Sequence, residues 1–144
     1  HDGRSILAAM MLGAEAVQLG SRFVATPESS AHLAFKEAVL AAGEGATSLE
    51  LKDVTPVRLL HNDFARRVMA AQQLGATPDE LRELLGRGRA KRGMFEGDMK
   101  EGELEIGQIA AMLHDLEPAA SLVRRLVDEC RALGAPRLGG RFDF

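Results

Sequence analysis

Residues 16–25 (AVQLGSRFVA) constrain the fold more than any other stretch of this chain. They form a brief apolar run broken by Gly20 and Ser21, too short between turn residues for a helix and suited to a strand buried on both faces. Such a strand needs a neighbour on each side, because a backbone polar group buried without a partner costs roughly 1–3 kcal/mol. The chain offers one other strand candidate, residues 47–54, where Leu49 and Leu51 alternate with polar neighbours ahead of Pro56, which places it at a sheet edge. Two strands do not make a self-sufficient parallel sheet. The expectation is that further strands come from polypeptide beyond these residues or from another chain, and that the 144 residues alone are insoluble or molten.

Most of the rest reads as helix. Ile6, Leu7, Met10 and Met11 recur at helical spacing within residues 4–12, and Gly13 supplies a stop. Pro27 and Glu28 open a second helix to about Ala42, with Phe35, Ala38, Val39 and Ala42 on one face. Asn62 or Asp63 caps a third, to Leu74, and Gly75 ends it. Thr77-Pro78-Asp79-Glu80 is a capping box that announces a helix to Leu85. Residues 86–102, with five glycines, read as a loop, and Ile106, Ile109, Ala110 and Leu113 then give a helical face. After Pro118, Ala119, Leu122, Val123, Leu126, Val127 and Cys130 form the most periodic stretch of all. The tail beyond Gly134 reads as frayed.

Composition removes several functions. A net charge of -3 creates no field that gathers nucleic acid or an anionic membrane, and the lack of Trp and Tyr removes the usual base-stacking platform. One cysteine, Cys130, precludes an internal disulfide and fits a reducing cytoplasm. The longest strongly apolar stretch, residues 6–12, is far short of the ~20 residues that span a bilayer. His1, His32, His61 and His114 share no metal-ligand spacing, so each is read as a surface or supporting residue and no metal is assigned.

Chemistry enters with an ordered pattern: Asp2-Gly3-Arg4, then residues 12–26 (LGAEAVQLGSRFVAT), then Glu28-Ser29 and Ala31-His32. It resembles the last barrel segment of the flavin-dependent nitronate monooxygenase and enoyl-acyl-carrier-protein reductase II family, in which "G-G-I-x-D-G-R" ends the seventh strand and "L-G-A-x-x-V-Q-x-G-T-R-F" carries the helix and the eighth strand. Residues 89–98 (RAKRGMFEGD) and 105–110 (EIGQIA) are similar to the family's closing helical subdomain. The similarity runs to about Leu133, and by it the chain begins just past the two glycines.

The resemblance implies an α/β fold: the C-terminal portion of a (β/α)8 TIM barrel, with the end of the strand-7 loop, helix 7, strand 8 and helix 8, plus an added helical subdomain. Residues 1–46 would be the last barrel segment with the FMN phosphate loop, 47–133 an arm and helical subdomain over the barrel mouth, and 134–144 a flexible tail. It also implies FMN as cofactor, held by Gln18, Leu19, Gly20 and Ser21, the first two through backbone. The physics agrees, since main-chain N–H groups and a following short helix at the carboxyl end of the last barrel strands form an anion site. Gly20 has no Cβ to obstruct a phosphate, and Ser21, where the family usually has Thr, retains a hydroxyl donor.

Nitronate oxidation with O2 is the leading expected activity; NAD(P)H-dependent reduction of an enoyl thioester is the alternative. The family's catalytic histidine lies on an upstream segment, so no residue here is assigned as the base. The expected partners are a small-molecule substrate and the amino-terminal barrel half, with a homodimer as the assembly considered and a cytoplasmic location. A non-catalytic helical interaction module, its apolar stretch docked into a partner, is the competing class. Four other features read blandly: residues 87–92 as a solvated basic loop, Gln108 as packed inward, the acids Glu96, Asp98, Glu101, Glu103 and Glu105 as solvated, and Ser5, Ser29 and Ser30 as lacking a base.

Overall fold

The structure, a computed structural model, describes residues 1–138. They divide into two compact units, one formed by His1–Ser29 together with the chain from Asp115 onward, the other by Ser30–His114.

In the first unit, α1 (Gly3–Met11) starts at Asp2, whose side chain accepts from the Ser5 N–H, and ends before Gly13 at φ 97°. The long α6 (Ala119–Leu138) buries Leu122, Leu126 and Cys130, and Glu28 accepts from the Ala119 N–H at 3.0 Å to cap it. This helix therefore continues past Gly134, and residues 139–144 of the expected tail lie outside the described residues. The two helices meet at Gly3, where a Cβ would stand 2.4 Å from Glu129 Cβ and 2.8 Å from the Cys130 nitrogen. The Gly3 N–H donates to Glu129 Oε2 at 2.7 Å, and the Cys130 thiol donates to the Gly3 carbonyl at 3.4 Å. Gly3→Ala should therefore destabilise this unit by about 1–3 kcal/mol, the usual cost of overpacking. Gly43→Ala, where a Cβ meets nothing within 4 Å, is the control. Equal melting temperatures for the two variants would refute the close crossing.

The expected buried strand is not formed. Residues 14–20 are irregular, Val17 is 39% exposed, and Ser21–Val24 coils into a short helix, α2. The reason is pairing. A strand exists only as part of a ladder, and the sheet among the described residues is a two-stranded antiparallel pair lying in the other unit.

That unit opens with α3 (Leu33–Leu40), which begins later than Glu28 because His32 is its cap, the ring Nδ1 accepting from the Ala34 N–H at 3.2 Å. β1 (Thr47–Glu50) pairs antiparallel with β2 (Val57–Leu60), Ser48 opposite Leu59. The first strand is shorter than expected, and the second, directly after Pro56, went unread. Leu51 at φ 54° turns the chain out of β1, with its N–H donating to Gln72 Oε1 at 2.7 Å. On the other side of β2, the Leu60 N–H donates to the Leu104 carbonyl and the Ile106 N–H to the Arg58 carbonyl. Thus Leu104 to Ile106 runs extended beside β2, and the helical face expected there shrinks to a 3-10 turn, Gln108–Met112.

α4 (Asp63–Gln73) and α5 (Pro78–Leu85) follow their caps as expected, Asn62 for the first and the full Thr77/Glu80 capping box for the second. Leu51, Leu59, Phe64, Ala65, Val68 and Leu81 form the core between the hairpin and these helices. Residues 86–102, read as a loop, contain a π-helical turn, Lys91–Phe95.

Candidate cofactor site and relatives of the chain

Gln18, Leu19, Gly20 and Ser21 join the irregular stretch after α1 to the start of α2. Gln18 and Gly20 are exposed, Leu19 and Ser21 half-buried. Gly20 is the residue ahead of α2 and makes no side-chain cap bond. A Cβ there would meet nothing within 4 Å, so the turn presents an open face. Leu19 lines an apolar cavity of about 210 Å³ with Ile6, Phe23, Val123, Leu126, Val127 and Cys130. The donor chemistry suits a phosphoryl group: main-chain amides at the start of a helix, a hydroxyl, and room for an anion to approach.

Sequence reasoning missed Arg22. It is 2% exposed, and its guanidinium bonds to the carbonyls of Ala25 and Asp115 and to the carboxylates of Asp115 and Glu117. An arginine inside an apolar run was the available signal, since a buried charge requires partners.

The remaining candidates resolve into supports. His32 caps α3, its backbone N–H donates to the Met94 carbonyl at 2.8 Å, and a Cβ on Gly97 would strike its ring at 2.5 Å. His61 Nε2 lies 3.0 Å from Ser48 Oγ. Among the described residues no three or more of His, Cys, Asp and Glu come together as a metal site. Within residues 87–92, read as a solvated basic loop, Arg89 lies 4.4 Å over the Phe64 ring and donates to the carbonyls of Leu84, Leu85 and Glu101, so it ties down the end of α5. Lys91 pairs with Glu96 and Arg92 with Asp98. Gln108 is exposed instead of packed inward and lines a groove of about 440 Å³ with Gly45, Thr47, Ile109 and Met112.

The acids do not behave alike. The backbone N–H of Glu101, with Arg92 beside it, holds the Asp98 carboxyl below its ordinary range, and hydrogen bonds from Arg67 do the same for Glu101. Glu103, read as solvated, is 8% exposed, and burial pushes its carboxyl up, with Glu105 adding to the effect. The signs oppose. Depressed carboxylates stabilise the fold above the unfolded pKa and lose that contribution as the pH falls through the folded pKa. A raised carboxyl binds its proton more tightly in the folded state, so Glu103 weakens the fold once the pH rises above the unfolded value. Glu103→Gln should therefore raise the melting temperature near neutral pH, the gap closing as the pH drops through the range where Glu103 takes up its proton. A gap of the same size at all pH values would exclude the buried charge as its cause.

A family model for nitronate monooxygenase matches residues 1–129. The chain belongs to the nitronate monooxygenase family. It is 35% identical over 136 residues to a nitronate monooxygenase of Pseudomonas aeruginosa, covering 90% of this chain and 37% of that protein. FabK from Thermotoga maritima superposes with a TM-score of 0.85 at 33% identity, over 98% of this chain and 44% of that one. Nitroalkane oxidase from Streptomyces ansochromogenes gives 0.70 at 31% identity, over 94% and 38%. The fold is thus the α/β fold that these proteins contain, and the chain spans less than half of each of them. Gln18, Leu19, Gly20 and Ser21 fall inside the region matched to the nitronate monooxygenase family, as do Arg22, Asp115 and Glu117.

Proposed function

We propose that the chain forms the last segment of an FMN-dependent oxidoreductase barrel and holds the flavin phosphate at Gln18, Leu19, Gly20 and Ser21. The observation that carries this reading is the open face at Gly20, immediately before a helix start, inside the region matched to the family. FMN, when bound, supplies the redox chemistry. The chain supplies binding and orientation: amides of the turn donate to phosphate oxygens and the Ser21 hydroxyl adds an O–H donor, while Leu19 lines an apolar cavity beside the turn. The other barrel strands belong to the rest of the polypeptide, and so does the histidine that acts as base. The substrate proposed is an alkyl nitronate oxidised with O2, which the family description and the Pseudomonas relative favour. A cytoplasmic location is part of the same reading.

Reduction of an enoyl thioester with NAD(P)H is the second reading, favoured by the likeness to FabK. Purified protein that includes the upstream half of the barrel should be yellow and release FMN on heating. Oxygen uptake with an alkyl nitronate supports the first activity; turnover of an enoyl thioester with NADH but not of a nitronate moves the assignment to the second. Colourless protein that takes up no FMN on reconstitution would leave the non-catalytic interaction module.

A further inference from the structure

Arg22 directly follows the proposed phosphate turn, yet its side chain is already committed elsewhere. Nη1 donates to the Ala25 carbonyl at 3.4 Å and the Asp115 carbonyl at 3.2 Å; Nη2 donates to Asp115 Oδ1 at 2.9 Å and Glu117 Oε2 at 3.4 Å. The same Glu117 oxygen accepts from Arg125 Nε at 2.9 Å, and Arg125 Nη1 donates to Glu129 Oε1 at 2.9 Å. Glu129 in turn accepts from the Gly3 N–H at the start of α1. One run of hydrogen-bonded charges thus fastens α2 and α1 to α6, and the Gln18-to-Ser21 turn lies between the two fastened helices.

Two features separate this arginine from a phosphate ligand. Its two terminal nitrogens already serve four acceptors, two of them carboxylates, so an anion would have to displace a partner. The charges of Arg22, Arg125, Asp115, Glu117 and Glu129 also sum to minus one, which leaves no field to attract a phosphate. What the arrangement provides is position. A helix of four residues does not persist by its own hydrogen bonds, because nucleating the first turn is unfavourable. A planar guanidinium gripping two carbonyls and two carboxylates gives α2 a fixed direction, which the single ammonium of a lysine does not reproduce.

We propose that Arg22 is a positioning residue for the flavin phosphate: tethered to Asp115 and Glu117, it aims the amides of the Gln18-to-Ser21 turn without touching the phosphate. This rests on the FMN reading above. The test compares the purified protein with Arg22→Lys and with Asp115→Asn, the latter because the Asp115 side chain is 59% exposed and its loss spares the buried charge. Two quantities are measured: the ratio of affinities for FMN and riboflavin, which differ by the phosphate, and hydrogen exchange at the amides of residues 20–24 without flavin. The expected result in both variants is exchange faster by at least about tenfold, FMN weakened by a similar factor and riboflavin within about twofold of wild type.

Parallel weakening of both flavins would reduce Arg22 to general support of the fold and overturn the proposal. So would an unchanged FMN preference despite faster exchange. Wild-type protein that binds FMN no better than riboflavin would instead bring down the phosphate reading itself, a failure seen before any variant is made.

Discussion

Gly102→Ala should cost the Ser30–His114 unit at least about 4 kcal/mol, a large share of a typical total of about 5–15 kcal/mol. A Cβ at Gly102 would stand 2.2 Å from Gly93 Cα, 2.4 Å from the Asp98 oxygen and 2.6 Å from the Gly93 nitrogen. All three are backbone atoms, so no side-chain rotation relieves the collision. The strands of chain must separate, and the damage spreads through Asn62. Its Nδ2 donates to the carbonyls of Gly102 at 2.8 Å and Met99 at 3.1 Å, while its Oδ1 caps α4 by accepting from the Ala65 N–H at 2.8 Å. Losing a cap costs about 1 kcal/mol, and each donor stranded in the interior adds about 1–3 kcal/mol. The Phe64 N–H also reaches across to the Lys100 carbonyl, so α4 and the 93–102 loop fail together. With no Trp or Tyr in the chain, far-ultraviolet circular dichroism against denaturant is the natural probe. Gly97→Ala is the comparison: its Cβ would meet the His32 ring, a side chain able to yield, although φ 82° adds strain. A Gly102→Ala protein within about 0.5 kcal/mol of wild type would mean that the two glycines do not touch.

That crossing also shows what the sequence could and could not disclose. Thr77, Pro78 and Glu80 specify α5 within four residues, and Asn62 does nearly the same for α4, because a cap is a local matter. The glycines at 93 and 102 looked like loop residues, since the reason for each is the other, nine positions away. Arg89 and Glu103 misled in the same way: charge suggested solvent, while contacts with Phe64 and burial beside the crossing decide their behaviour. β2 was passed over because Val57, Arg58, Leu59 and Leu60 are too few to show alternation, and their strand character comes from β1 on one side and Leu104 to Ile106 on the other. The run at 16–25 is the reverse case. Its apolar character was legible, but strand geometry is a property of pairs, and no described segment pairs with it. Family membership was legible because the 12–26 pattern is ordered over many positions. Arg22 was passed over within it because its partners, at 115 and 117, are more than ninety residues away.

Gly20→Leu should abolish FMN binding while leaving the fold intact, and this separation makes it the sharpest test of the phosphate turn. Gly20 adopts φ -96° and ψ -73°, a conformation open to any L-residue, and nothing lies within 4 Å of a Cβ built there. Side chains at this position are therefore tolerated by the protein itself. Alanine should be neutral or stabilise by up to about 1 kcal/mol, by narrowing the unfolded ensemble. A ligand held against the main chain would supply a reason for glycine at a site where the described residues leave room for a side chain. A leucine side chain would fill the space that the phosphoryl group needs, and the expected loss is at least a hundredfold in FMN affinity, about 2.8 kcal/mol. Riboflavin, which lacks the phosphate, should lose far less. Flavin fluorescence titrations of wild type, Gly20→Ala and Gly20→Leu, each with its melting curve, give the comparison. Graded weakening from Ala to Leu with no fall in melting temperature is the signature of steric exclusion. If Gly20→Leu retains wild-type affinity for FMN, the phosphate sits elsewhere and Gln18, Leu19, Gly20 and Ser21 lose their assignment together.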